Sequence, residues 1–117
     1  MKYMILSYEP REDLASQDGN AVSWCAYLGE LSRAGVVETI HCLRPEFTAT
    51  TVRLRDGKSF LSDGPYADTS EQIRACFVID VANLDLALDW AAKCPAAARG
   101  AVEVRPLISD RAPPRKS

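Results

Sequence analysis

Alternation opens the chain. Over residues 2–8, Met4 and Leu6 recur at every second position, the two-residue period of a strand. The run Glu9-Pro10-Arg11-Glu12-Asp13 breaks the pattern, and the stretch to Gly19 reads as a loop with at most a turn of helix. Asn20 can accept from an early backbone N–H and predicts a helix start there. Ala21, Trp24, Cys25, Leu28 and Leu31 then follow at helical spacings, on one face. Gly35 ends this helix, because glycine takes the left-handed backbone of a C-terminal cap.

Residues 36–43 predict a second strand, stopped by Pro45. Residues 50–55 and 58–62 predict a hairpin, since Asp56-Gly57 supplies the positive backbone angles of a two-residue turn. Asp68-Thr69-Ser70-Glu71 has the form of a capping box, with Asp68 as cap and Glu71 reaching back, and predicts a short helix. Residues 75–81 form the most apolar stretch and predict a central strand. Asn83 caps a second helix with the stripe Leu84, Ala87, Leu88 and Ala91, and Pro95 closes it. Residues 101–107 predict the last strand.

Setting aside the hairpin and the short helix, the order is βαββαβ. This predicts an α+β, ferredoxin-like domain with an inserted hairpin. One domain is expected over residues 1–108, followed by a disordered tail over 109–117 that carries Pro113-Pro114. Phe77, Ile79 and Val81 share one side of the central strand, and Cys76, Val78 and Asp80 the other. Likewise Val102 and Val104 oppose Glu103 and Arg105. The apolar sides suit the two helices. The mixed sides are expected to meet a second copy, making a homodimer with a polar interface or ligand pocket between the sheets.

Charge narrows the function. Fourteen Lys and Arg against sixteen Asp and Glu leave a formal charge of −2. The basic residues are scattered, which disfavours nucleic-acid binding. No apolar run approaches the roughly 20 residues that span a bilayer, and the apolar start is too short for a signal sequence, so a cytoplasmic protein without membrane attachment is expected. Cys25, Cys42, Cys76 and Cys94 have no zinc-site spacing and read as buried free thiols of a reducing compartment.

Several motifs occur in order: residues 48–53, Asp56-Gly57-Lys58, Asp63-Gly64-Pro65-Tyr66-Ala67-Asp68-Thr69-Ser70-Glu71, Ile79-Asp80-Val81 and Val102-Glu103-Val104-Arg105-Pro106. Together with Met1-Lys2-Tyr3-Met4 and Ala34-Gly35-Val36 they resemble the YCII-related family, in the branch named for its Asp-Gly-Pro-Phe motif. The resemblance covers nearly the whole chain. It implies a dimeric α+β barrel, and one relative in the wider superfamily is a dehydrochlorinase acting on a muconate-type acid. Proteins of this branch are also associated with extracytoplasmic-function sigma factors, which implies a regulatory partner as an alternative role. The chain departs from its relatives at Tyr66, where Phe is usual, and at Arg74-Ala75, where Gly-Gly is common. The superfamily's early histidine is missing, because His41 is the first and only one.

The candidate chemistry is correspondingly small. An imidazole suits proton abstraction from a carbon acid when a carboxylate orients it, so His41 as base and Asp63 as its partner are the catalytic candidates for a cofactor-free lyase or isomerase. The plainer alternative makes His41 an interface residue and Asp63 a turn-former. Tyr66, Glu71, Asp80 and Arg105 are the ligand-binding candidates, Arg105 because a guanidinium can hold a substrate carboxylate through two hydrogen bonds. No phosphate loop or metal-ligand cluster is recognisable, and no cofactor is expected. The leading expectation is a homodimer binding a small organic acid, with enzymatic activity left open.

Overall fold

Strict alternation of buried and half-buried residues marks the first strand, β1 (Lys2–Pro10), with Tyr3, Ile5, Ser7 and Glu9 turned inward. The computed structural model describes residues 1–11 and 17–108, with side chains of the first helix from residue 22 onward; the expected tail over 109–117 and the side chains of Asn20 and Ala21 lie outside them. Helix α1 runs Gln17–Ala34, starting three residues before the expected cap at Asn20. It stops as expected at Gly35, whose φ of 70° lets the Gly35 and Val36 N–H groups donate to Ser32 and Leu31 carbonyls.

Strand β2 is Val37–Cys42. A short 3-10 turn over Glu46–Thr48 leads into the hairpin of β3 (Thr50–Arg55) and β4 (Lys58–Asp63), which turns through Asp56 and Gly57, both at positive φ. Strand β5 (Glu71–Asp80), helix α2 (Leu84–Lys93), the short helix α3 (Pro95–Arg99) and strand β6 (Ala101–Pro106) complete the chain. The Asn83 side chain caps α2 as expected, accepting from Leu86 N–H at 3.0 Å. Pro95 does more than end α2: it occupies the first turn of α3, where its missing N–H costs nothing.

The main sheet has the order β2-β5-β1-β6, antiparallel throughout, and β3–β4 form a separate two-stranded sheet. Helices cover one side of the main sheet. Ile5, Phe77 and Ile79 are buried there with Tyr27 and Leu31 of α1, Ala87 of α2 and Ala96 of α3. Tyr27 meets the Phe77 ring edge-on at 6.0 Å and donates its hydroxyl to the Trp90 carbonyl at 2.8 Å; burial raises the pKa of its phenol well above the usual value. As expected, Val102 and Val104 pack against this core.

Four expectations need correction. The segment Asp68–Ser70 forms no helix, and Glu71 opens β5, paired with Pro10; the sheet ladder overrides a local capping signal. The Gln72 amide instead donates to the carbonyls of Ala67 and Thr69, holding the entry to the strand. On α1, Tyr27 is buried and Cys25 exposed, so the inner face is rotated from the expected stripe. On α2, only Ala87 and Ala91 are buried, while Leu84 and Leu88 are about half exposed. Of the four free thiols only Cys94 is buried; Cys25 and Cys42 are exposed and Cys76 is intermediate.

The ladders of the main sheet are irregular at two points. Between Val37 and Thr39 the β2 ladder slips, so His41 shares its side with Thr39 but not with Val37. Between Ser7 and Tyr8 a bulge leaves Arg74 of β5 without a register partner on β1, because Ser7 faces Ala75 and Tyr8 faces Ile73. The buried Ser7 hydroxyl repairs the ladder there: it accepts from Ala75 N–H at 3.1 Å and donates to the Ala75 carbonyl at 3.2 Å. Ser7→Ala is therefore expected to cost about 2 kcal/mol in urea unfolding, since a buried N–H loses its acceptor. A change within error would mean that the bulge needs no such support.

Candidate functional site

The register places the sequence candidates on the bare side of the main sheet or on the hairpin. One row across the sheet reads His41, Cys76, Leu6, Glu103, and the next Thr39, Val78, Met4, Arg105. Apolar residues fill the middle and polar ones the flanks. With strands about 4.8 Å apart, His41 and Glu103 stand roughly 14 Å from each other. Arg105 is ion-paired with its neighbour Glu103, which keeps the guanidinium more firmly protonated than usual, and Tyr8 donates to the same carboxylate at 3.5 Å. Asp80 receives the N-terminal ammonium at 2.9 Å.

Asp63 closes β4 opposite Thr50 and is exposed, in a different sheet from His41. Among the described residues no hydrogen bond or ion pair joins the two. The following turn is held at Gly64: its N–H donates to the Ala49 carbonyl, and the Thr51 hydroxyl donates to its carbonyl, both at 2.8 Å. Tyr66 is 72% exposed, with the Arg53 guanidinium over its ring at 4.9 Å. Glu71 sits at the start of β5, and Asp68 is ion-paired with Arg11. The structure thus gathers His41, Asp80, Glu103 and Arg105 on one sheet face and leaves Asp63 and Tyr66 on the hairpin side.

A second constellation lies on the opposite, helix-covered side, and the sequence reading missed it. A cavity of about 140 Å³ opens between α1 and the end of the sheet, lined by Glu9, Trp24, Leu28, Cys42, Leu43, Arg74 and Ala75. Glu9 is only 1% exposed and is ion-paired with Arg99 Nε at 3.4 Å. Nearby, burial first and the Glu9 charge after it push the Cys94 thiol up to about 11, so it remains protonated at neutral pH. Glu9 had a signal in the sequence: it continues the odd-numbered parity of Tyr3, Ile5 and Ser7, and a carboxylate on an inward-facing parity is unusual. Arg74 stood out only as a departure from a common Gly-Gly pair, and its direction had no signal because the bulge sets it. Among the described residues no group of three or more His, Cys, Asp or Glu is placed to hold a metal ion, and no helix is long and apolar enough to cross a membrane.

Comparison with known proteins agrees with the family resemblance at the level of the family. An uncharacterized protein of Rhizobium meliloti (strain 1021), R00369, is 41% identical over 76 residues, covering 63% of this chain and 61% of that relative. The match therefore spans less than two thirds of the relative's length. The YCII-related domain model matches residues 1–110, nearly the whole chain, and the chain belongs to the YCII-related family.

Proposed function

We propose that this chain works in the cytoplasm as a homodimer of ferredoxin-like protomers, in the Asp-Gly-Pro-Phe branch of its family, and that the facing sheets enclose a small organic acid. The observation that carries the reading is the half-covered sheet. Met4, Leu6 and Val78 form an apolar strip on its bare side, flanked by Thr39, His41, Glu103 and Arg105. Such a strip costs free energy in water, and a second copy would cover it with an identical strip. The strand order β2-β5-β1-β6 fits the split βαβ arrangement behind the dimeric barrel.

The hairpin supports the same reading. Val52, Leu54 and Leu61 share one of its faces and are each more than 60% exposed. A two-stranded hairpin with no packing partner is marginal in water, so a twin protomer is the natural support. Arg105 is the group suited to a ligand carboxylate, with His41 on the opposite flank.

Sedimentation velocity is expected to return the mass of two chains at micromolar concentration. A thermal-shift series with small carboxylates is expected to raise the melting temperature, and Arg105→Ala to diminish the rise. A monomer at every concentration, or a shift indifferent to Arg105, would refute this assignment.

A further inference from the structure

The cavity beneath α1 holds a cation without a counter-ion among the described residues. Arg74 lines it, and the Nη1 of its guanidinium is buried with no hydrogen-bond partner there. The carboxylate that lines the same cavity, Glu9, is paired to Arg99, and no ion pair joins it to Arg74. A buried N–H of a charged group left without an acceptor is costly, and an anion entering the cavity would offset that cost.

The fold holds Arg74 in this position. Simple alternation would turn it away from Ala75, onto the bare side of the sheet. The bulge opposite Ser7 and Tyr8 removes that alternation, so Arg74 and Ala75 line the same cavity. On the other side of the strand, the Arg74 carbonyl accepts from Leu43 N–H at 2.8 Å, fixing its backbone. Trp24, Leu28 and Leu43 give the cavity an apolar wall facing these two charged side chains. The site is independent of the between-sheet pocket and would persist in a monomer.

We infer that this cavity binds a small organic acid with a hydroxyl or amino group on an apolar body, its carboxylate on Arg74 and its donor group toward Glu9. An Arg N–H donates to the ligand carboxylate, a charge-assisted contact of the stronger kind. A carboxylate has several lone-pair positions, so Glu9 can accept from a ligand hydroxyl while it remains paired with Arg99. The hydrocarbon part lies against the Trp24 ring. A cavity of about 140 Å³ exceeds several times the roughly 30 Å³ share of one water, which suits an acid of a few carbons to one aromatic ring.

Mandelate is a suitable probe, with phenylacetate lacking the hydroxyl and mandelamide lacking the charge. In NMR titrations of the full chain, the indole N–H signal of Trp24 is expected to shift saturably with mandelate while that of Trp90 stays, the two signals being assigned with Trp90→Phe. Phenylacetate is expected to bind more weakly and mandelamide at least tenfold more weakly. Arg74→Met is expected to abolish saturation in a protein that keeps its dispersed spectrum, and Arg105→Ala to leave it intact. If Arg74→Met fails to fold, the mandelate–mandelamide comparison on the unaltered chain decides. A static Trp24 signal, equal binding of acid and amide, or loss of binding in Arg105→Ala would overturn the inference. The last result would also move the acid to the sheet face, leaving the dimer reading standing.

Discussion

Gly100→Ala is expected to destabilise the protein by roughly 3 kcal/mol or more, a lowering of the melting temperature of well over 10 °C in a domain of this size. A Cβ at this position would stand 2.1 Å from the Tyr8 carbonyl oxygen, 2.9 Å from its carbon and 3.1 Å from the Glu9 Cα. These are backbone atoms of β1, inside the main sheet, and they cannot swing aside as a flexible side chain would. Gly100 is pinned as well, since its N–H donates to the Ala96 carbonyl at 2.7 Å at the end of α3. The close approach also bears on function. It presses the corner between α3 and β6 against the residues that carry Glu9 into the cavity, while Arg99, the preceding residue, holds the Glu9 carboxylate. The clash forces either β6 to slide along β1 or α3 to lift, and both disturb that ion pair. Urea unfolding measures the loss directly. A cost below about 1 kcal/mol would mean that the corner relaxes freely, and that the tight contact is no constraint on the Glu9 side of the cavity.

What could be read from the sequence follows the range of the interaction behind each feature. The hairpin turn at Asp56-Gly57, the Gly35 stop and the Asn83 cap each depend on residues within a few positions, and each stands where expected. The inward parity of Phe77 and Ile79 was legible for the same reason, because alternation within one strand is local. The capping box at Asp68 was equally local, yet it failed: strand pairing of Pro10 with Glu71, far apart in the chain, decided the conformation. The bulges were invisible for a related reason. Whether two or three residues of β5 span Ser7 and Tyr8 depends on how both strands fit the layers around them, and the departure from Gly-Gly at Arg74-Ala75 does not announce it. That slip separates the sheet-face candidates, which parity reasoning found, from the cavity under α1, which it did not find. Asp63 marks another boundary. The motif around it is recognisable, but its separation from His41 depends on the hairpin forming a sheet of its own.

Phe77 and Val78, adjacent in β5, give a paired prediction that separates the core from the proposed twin contact. Phe77 is fully buried on the helix side, between Ile5 and Ile40 in the ladder and against the Tyr27 ring. Phe77→Ala removes a large apolar side chain from a packed core and is expected to cost about 3–5 kcal/mol. It also strips Tyr27 of its edge-on partner, a contact worth about 1 kcal/mol within that sum. Because this loss is internal to one protomer, it should appear in full at every protein concentration. Val78 faces the other way, in the row with Thr39, Met4 and Arg105. Val78→Asp places a charge on the bare side, which an isolated protomer tolerates because water reaches it. Between facing sheets the same carboxylate would lose its hydration and meet its twin, so the dimer should dissociate while the spectrum of the folded protomer persists. Urea unfolding of Phe77→Ala and sedimentation of Val78→Asp, each across a hundredfold range of concentration, read the two effects separately. A concentration-independent loss at Phe77 with a dimer unaffected by Val78→Asp would leave the sheet's bare side open to water, and the acid would then have to be sought beneath α1.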